Sequence, residues 1–200
     1  MEKKKRRGGP RKFERDQAVE KAMRLFWRQG YEGTSINDLT AAIGIAPPSL
    51  YAAFGSKAGL YREALDRYTA SSGALDQPAK SAANLDDAVA AVLYAGVRAI
   101  TDASRERGCM ISSGMIECAP EHRELASDVA QRRRSIRNSI ATQLVRWLDP
   151  QAADALAGHL MVVLIGLSVQ ARDGATADEL YGLADEAIAG VRARKLAVNS

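Results

Sequence analysis

Between Gly33 and Lys57 the pattern of the chain accommodates two short helices joined by a tight turn and little else. Ile36, Leu39 and Ile43, then Leu50 and Phe54, fall three or four residues apart, the spacing that gathers side chains on one helical face. Each run predicts a helix with one side to bury. Thr34 or Ser35 offers a hydroxyl to an orphan N–H at the start of the first helix. Asp38, one turn in, suits the positive end of the helix dipole. Gly44 stands where that helix should stop, because glycine enters the left-handed conformation without a side-chain clash. Pro47 and Pro48 open the second helix, where a missing N–H costs little and the fixed φ is already helical. Two helices joined by a three- to four-residue turn containing glycine form a helix-turn-helix; the alternative is a helical hairpin that only packs.

The flanking residues favour the former. From Phe13 to Lys57 the sequence closely resembles the DNA-binding domain of the TetR family of transcriptional repressors. The residues that carry the resemblance are Ala22-Met23-Arg24-Leu25-Phe26 running to Gln29-Gly30-Tyr31, the Thr34-Ser35 entry, and Ser49-Leu50-Tyr51-Ala52-Ala53-Phe54-Gly55-Ser56-Lys57. The organisation of the rest of the chain resembles the family's more loosely. The resemblance implies an all-α protein: a flexible basic arm over 1–12, a three-helix helix-turn-helix DNA-binding domain over 13–72, and a larger helical effector-binding and dimerisation domain over 73–200.

Charge agrees with that division. The net charge is only +4, but residues 1–12 carry seven Lys or Arg against one Glu, and the remainder is near balance, so the basic surplus lies in the arm. Arg6, Arg7, Arg11 and Lys12 are its candidates for following phosphates or entering the minor groove, where arginine meets enhanced negative potential. The alternative is a solubilising tail. No run of 18 uncharged apolar residues occurs, and the basic N-terminus lacks the apolar segment of a signal peptide, so a cytoplasmic protein without membrane partners is expected. Cys109 and Cys118, nine residues apart and without a His cluster, match neither a zinc site nor a secreted disulfide framework. Two distant histidines, no GxSxG and no P-loop leave no catalytic constellation, so neither an enzyme nor a cofactor or metal is expected.

The whole chain reads as helix. A first helix is expected over 16–29 with Ala18, Ala22, Leu25 and Phe26 on one side, then 36–43, 47–53 and 57–71. Ser71-Ser72-Gly73 and Asp76-Gln77-Pro78 mark a breaker-rich join. Beyond it a long helix is expected from Asn84 or Leu85 to Ser104, turning Leu85, Val89, Leu93, Val97 and Ile100 inward. A shorter segment spans 108–118, with Cys109 at the start of a helix. Another long helix covers about 122–148, on which Arg132, Arg133, Arg134 and Arg137 form a solvated face paired with Asp128 or Glu124. The last two helices, about 151–170 and 177–195, flank Arg172-Asp173-Gly174. The first of these is apolar over more than one face. An obligate interface resembles a core cut in half, so 151–195 is the expected homodimer surface, pairing as a four-helix bundle.

In a helix-turn-helix the second helix enters the major groove. Here it is poor in the long side chains that make bidentate base contacts, since no Arg, Asn or Gln lies between Ile45 and Gly55. Recognition is therefore expected to lean on Ser49, on apolar contacts of Pro47, Pro48 and Ala52 with thymine methyls, and on DNA shape read by the arm. By the family resemblance, Thr34, Ser49, Tyr51 and Lys57 fall at positions that clamp phosphates, with Ser35 beside Thr34 at the helix entry. The family often has Lys or Gly where this chain has Pro47 and Pro48, which puts a charged contact from there in doubt.

The resemblance further implies a homodimer on a palindromic double-stranded operator, most often as a repressor, released when a small-molecule effector changes the spacing of its two DNA heads. Such a ligand must bind the non-DNA-binding arrangement better than the other, and half-sites about 34 Å apart make binding sensitive to that spacing. Candidate pocket residues are Tyr94, Cys109, Met110, Ser113, Met115, Gln143, Trp147 and His159, with Met161: adaptable apolar groups and a few polar ones. Plain core is the alternative for each. The Gly108-Cys109-Met110 setting resembles a segment in which a few family members use a cysteine to sense oxidants or electrophiles; a buried structural cysteine is the competing reading. A constitutive or architectural DNA-binding protein without a ligand is the alternative for the whole.

Overall fold

The computed structural model describes residues 12–71 and 77–198, with side chains over 15–71 and 77–193. The arm through Arg11, the side chain of Lys12 and residues 72–76 of the join lie outside the described residues. Eight α-helices and no strand occur among those described: α1 Lys12–Gln29, α2 Ile36–Ile43, α3 Pro47–Phe54, α4 Lys57–Ser71, α5 Leu85–Thr101, α6 Arg123–Leu144, α7 Pro150–Arg172 and α8 Ala177–Val198. The all-α expectation is met. Two compact units result, the first ending at Tyr68 and the second starting at Thr69.

In the first unit α1 is the packing beam. Ala18, Val19, Ala22, Met23, Phe26 and Trp27 are all buried, whereas Leu25 is only half-buried. An aromatic cluster fills the space between α1 and α4: the Phe26 and Tyr61 rings meet edge-on at 4.9 Å, Tyr31 and Tyr61 at 5.1 Å, and Trp27 and Tyr68 at 4.7 Å. Such pairs are worth about 0.5–1.5 kcal/mol each beyond the area they bury. Leu39, Leu50 and Phe54 complete the core from α2 and α3, as their spacing required.

The second unit is built on α5, whose Leu85, Val89, Leu93, Val97 and Ile100 are buried in the expected register. Asn84 caps it by accepting the Asp87 N–H at 2.9 Å. The helix ends at Thr101, short of the expected Ser104, because the Asp102 carboxylate accepts both the N–H and the hydroxyl of Ser104 and turns the chain out of helix. Residues 108–118 form turns rather than the expected short helix. Gly108 and Met115 both adopt positive φ, +77° and +55°, and the bonds that hold this segment come from distant residues. A 3-10 turn, Pro120–His122, leads into α6, which stops at Leu144.

Along α7, Ala153, Ala157, Leu160, Met161, Leu164, Leu167, Ser168 and Ala171 are buried. By length and hydropathy this is the one described helix that could cross a membrane, yet these residues make it a core helix of the unit. Its apolar surface is not all used there: Val162 and Val169 remain 69% and 42% exposed.

Candidate nucleic-acid interface

The turn between α2 and α3 is built as its residues dictate. Ser35 caps α2, accepting the Asp38 N–H at 3.1 Å while the Asp38 carboxylate accepts the Ser35 N–H at 2.8 Å and its hydroxyl at 2.6 Å, a reciprocal capping box. These bonds hold the Asp38 carboxyl below its ordinary range. Gly44 ends the helix at φ +86°, ψ +36°, and its N–H reaches the Thr40 carbonyl at 2.8 Å. Ala46 is extended, and Pro47 and Pro48 occupy the first turn of α3.

Leu50 and Phe54 point inward, leaving Pro47, Pro48, Ser49, Tyr51 and Ala52 on the exposed side of α3; Tyr51 is 48% exposed. The leading end of α3 has almost no main-chain donors to offer. Its two prolines lack an N–H, and those of Ser49 and Leu50 both return to the Ala46 carbonyl, at 2.9 and 3.3 Å. What α3 presents outward is thus ring methylenes, a methyl group and the hydroxyls of Ser49 and Tyr51.

Other candidates stand on either side. Lys57, half-buried at the start of α4, holds its ammonium 4.1 Å from the centre of the Tyr31 ring. Burial pushes its pKa down from the ordinary lysine range, and the Glu32 carboxylate works against that shift. Thr34 is a correction. It is fully buried, and its hydroxyl donates to the Gly30 carbonyl at 2.6 Å, so the side chain fastens the α1–α2 connection instead of facing a phosphate.

Two basic side chains of α1 that the sequence did not single out hold the far ends of α2 and α3. Lys21 Nζ lies 3.4 Å from the Ile43 carbonyl at the end of α2. Arg15 donates to the Ala53 carbonyl in the last turn of α3 at 2.7 Å and to the Glu63 carboxylate of α4 at 2.5 Å, with its guanidinium 4.5 Å from the centre of the Phe54 ring. Cations at helix C-termini meet the negative end of the dipole. No local pattern announces either contact, because the partners are 22 and 38 residues away. Glu20 also ties α1 to α4 through Arg67 at 2.7 Å and bonds Arg24 at 3.0 Å; burial raises its pKa, but these two arginines outweigh it and hold the carboxyl below its ordinary range.

The effector candidates of the second unit are dispersed. Cys109, Met110, Ser113 and Met115 share the 108–118 segment, where Met110 and Met115 are buried and the Ser113 hydroxyl donates to the Cys109 carbonyl at 3.2 Å. Cys109 does not start a helix, and the Ser112 N–H approaches its Sγ at 3.4 Å. Its own N–H donates to the buried Ser168 hydroxyl at 2.8 Å. Arg133 closes the segment from α6, donating to the Ile111 and Gly114 carbonyls at 2.9 Å each. Arg137 pairs with Asp154 of α7 at 2.5 Å on an exposed surface; its partner is on α7 and not the expected Asp128 or Glu124, whereas Arg133 is turned to the 108–118 carbonyls.

Elsewhere in this unit, the Tyr94 hydroxyl donates to Asp185 of α8, and its ring meets Tyr181 edge-on at 5.5 Å. Gln143 accepts the Ala79 N–H at 3.1 Å. Trp147 lies past the end of α6 under the Arg146 guanidinium, 5.0 Å from its ring centre. His159 is on the exposed side of α7, and Met161 is buried in the core. Tyr94 and Gln143 are spent on structural hydrogen bonds, and His159 points away from the core that Met161 enters.

Comparison with known proteins adds relatives to this geometry. The family described as bacterial regulatory proteins, tetR family, matches residues 18–64. The chain is 34% identical to the HTH-type transcriptional repressor ComR of Escherichia coli strain K12 over 195 residues, covering 90% of each protein. It is 32% identical to the HTH-type transcriptional repressor BdcR of the same strain over 178 residues, 88% of each. A cysteine-substituted variant of the TetR family transcriptional regulator CifR, solved in complex with 26-base-pair double-stranded operator DNA, shares the fold at a TM-score of 0.82 and 34% identity, over 90% of this chain and 98% of that one.

Proposed function

The chain belongs to the TetR family of bacterial regulatory proteins, and from that premise we propose that it is a cytoplasmic repressor that binds a palindromic operator as a homodimer and is released by a small-molecule effector. The observation that carries the DNA reading is the outer face of α3. A helix buried by only Leu50 and Phe54 presents a narrow ridge of Pro47, Pro48, Ser49, Tyr51 and Ala52 at the end of a rigid unit, and a relative of the same fold is known bound to operator DNA. Ser35 and Lys57 flank that ridge as phosphate contacts, and the basic arm adds sequence-independent attraction. Ser49 and the apolar groups of α3 supply the base-edge contacts.

Dimerisation is assigned to α7 and α8. Ala155, His159, Val162, Gly166 and Val169 are exposed on α7 at alternating four- and three-residue spacing, and on α8 Gly182, Leu183, Glu186, Ala189 and Gly190 are exposed. That is a seam of small and apolar groups with one carboxylate, suited to close approach of a second helix pair. The effector is assigned to the second unit, with the 108–118 segment as the element that adapts. Its positive-φ Met115 and buried methionines are held by Ser168 of α7 and Arg133 of α6, so a shift of either helix would be felt in this segment.

Nuclease protection of the DNA flanking the protein's own coding region, with purified full-length protein, tests the core of this reading. A palindromic footprint of two half-sites one helical turn or a multiple apart is expected. Absence of any protected site across that region and a genomic library would refute it. Loss of the footprint with a member of a metabolite panel that also raises thermal stability tests release.

A further inference from the structure

We propose that Arg15 is a positioning residue for operator recognition: it fixes the tilt of α3 on the body of the DNA-binding unit without touching DNA itself. The inference rests on the reading that α3 is the helix presented to the operator.

The eight residues of α3 bury only Leu50 and Phe54, both on one side. Two anchors one turn apart fix which face is inward, but they leave the helix free to rock about the line that joins them. Its N-terminal end is tied to α2 through the Gly44 turn. Its C-terminal end is followed by Gly55 at φ +74°, a residue without a side chain to pack. At that end Arg15 acts on three points: one nitrogen bonds the Ala53 carbonyl at 2.7 Å, another bonds Glu63 on α4 at 2.5 Å, and the guanidinium covers the Phe54 ring at 4.5 Å. The planar fork thus spans α1, α3 and α4. Lysine, with a single nitrogen on a flexible stem, reaches one of the two acceptors in a given geometry but does not present the flat face to Phe54. Two of the five guanidinium donors are given to protein acceptors, and the side chain is 40% exposed, so a phosphate contact is the competing role that the salt series separates from positioning.

The distinction is measurable in full-length protein. Fluorescence anisotropy with the footprinted operator duplex and with a scrambled duplex of equal length, across a series of KCl concentrations, separates tilt from charge. Arg15→Gln is expected to weaken operator binding about tenfold, the scale of one charge-assisted hydrogen bond. Scrambled-duplex affinity and the slope of log K against log salt stay at the parent values, and Arg15→Lys recovers part of the lost specificity. A fall in slope of about 0.9 per protomer, with equal losses on both duplexes, would identify a phosphate contact and overturn the proposal. So would a lowered melting temperature with an unchanged operator-to-scrambled ratio, which is what simple stabilisation produces. Glu63→Gln removes the ion pair while Arg15 keeps the Ala53 carbonyl, and it should lower the ratio by a smaller factor. If Arg15→Gln does not fold, an unchanged ratio in Glu63→Gln overturns the proposal. A parent protein that fails to distinguish the two duplexes refutes the reading of α3 itself, a result separate from all of these.

Discussion

Gly59 lies in the first turn of α4, where helix propensity and packing predict opposite results for Gly59→Ala. Propensity favours alanine by about 1 kcal/mol in a helix interior. Packing opposes it: a Cβ on Gly59 would stand 2.2 Å from the Phe54 carbonyl oxygen and 3.4 Å from its carbon. Comfortable C···O contacts begin near about 3.3 Å, so a displacement of about 1 Å is required. Neither partner yields easily. The Phe54 carbonyl accepts the Ser56 N–H at 2.8 Å, Gly59 N–H is bonded to the Ser56 hydroxyl at 3.0 Å, and the Phe54 ring is covered by Arg15. Overpacking of this kind costs about 1–3 kcal/mol. Subtracting the propensity gain leaves a net loss of up to about 2 kcal/mol, a fall of up to about 1 M in the urea midpoint for a small unit. Trp27 reports on it: it is 2% exposed, edge-on to Tyr68 at 4.7 Å, and the chain's second tryptophan, Trp147, is removed in a Trp147→Phe background. Because the strain bears on the end of α3, operator affinity should fall with stability. A raised urea midpoint in Gly59→Ala would show that the first turn of α4 is free to move, and the account of a rigidly held α3 would fail with it.

Val162→Glu, on the exposed seam of α7, should raise the dimer dissociation constant at least tenfold, because two copies would bury unpaired carboxylates; sedimentation velocity reads this, and an unchanged dimer would remove α7 from the interface. Tyr51→Phe should lower DNA affinity about three- to tenfold and equally for all sequences if the hydroxyl meets a phosphate; a changed base preference in a binding-site selection would show direct readout instead. The lowered pKa of Asp38 stabilises the fold above the ordinary carboxylate range, and this contribution is lost as pH falls through the lowered folded value. Ser35→Ala should therefore destabilise most at neutral pH, with the gap to the parent narrowing in acid to what the lost cap on the Asp38 N–H leaves, as read by melting curves at stepped pH; a constant difference down to strongly acid pH would contradict it.

Legibility tracked the distance over which each decision is made. The limits of α2 follow from Ser35, Asp38 and Gly44, all within ten residues, and structure and expectation agree from Ile36 to Ile43. The start of α3 followed from Pro47, and α5 from a strict apolar period ending on Ile100. The 108–118 segment was opaque because its conformation is set elsewhere, by the Ser168 hydroxyl 59 residues away and by the Arg133 guanidinium 19 and 22 residues away. Burial of Met110 and Ile111 looks alike in sequence whether they sit on a helix or in a turn. Thr34 and Ser35 show the same limit at the site. Both are hydroxyls at a helix entry, and only the packing of Thr34 against the Gly30 carbonyl assigns one inward and the other outward.

The donor inventory of α3 bears on how this protein reaches specificity. A good bidentate pair discriminates against the wrong base by about 1–3 kcal/mol, and α3 carries no side chain able to make one. Main-chain donors at its leading end are used up by Pro47, Pro48 and the Ala46 carbonyl. Single hydroxyls and methyl contacts with thymine discriminate less per base, so more of them must be made at once, and each depends on α3 lying at a defined depth and tilt in the groove. The Arg15 fork and the close Gly59 approach, both at the C-terminal end of this short helix, fit that requirement. In the homodimer proposed above, weak discrimination per half-site would place the burden of selection on the separation of the two heads, so that small changes in spacing would release the DNA. Substituting uracil for thymine across the operator, which deletes only the C5 methyl groups, should weaken binding stepwise at the positions facing Pro47, Pro48 and Ala52. Indifference to every such substitution would leave the two hydroxyls and DNA shape as the sources of recognition, and the apolar ridge of α3 would then serve only to let it approach the groove.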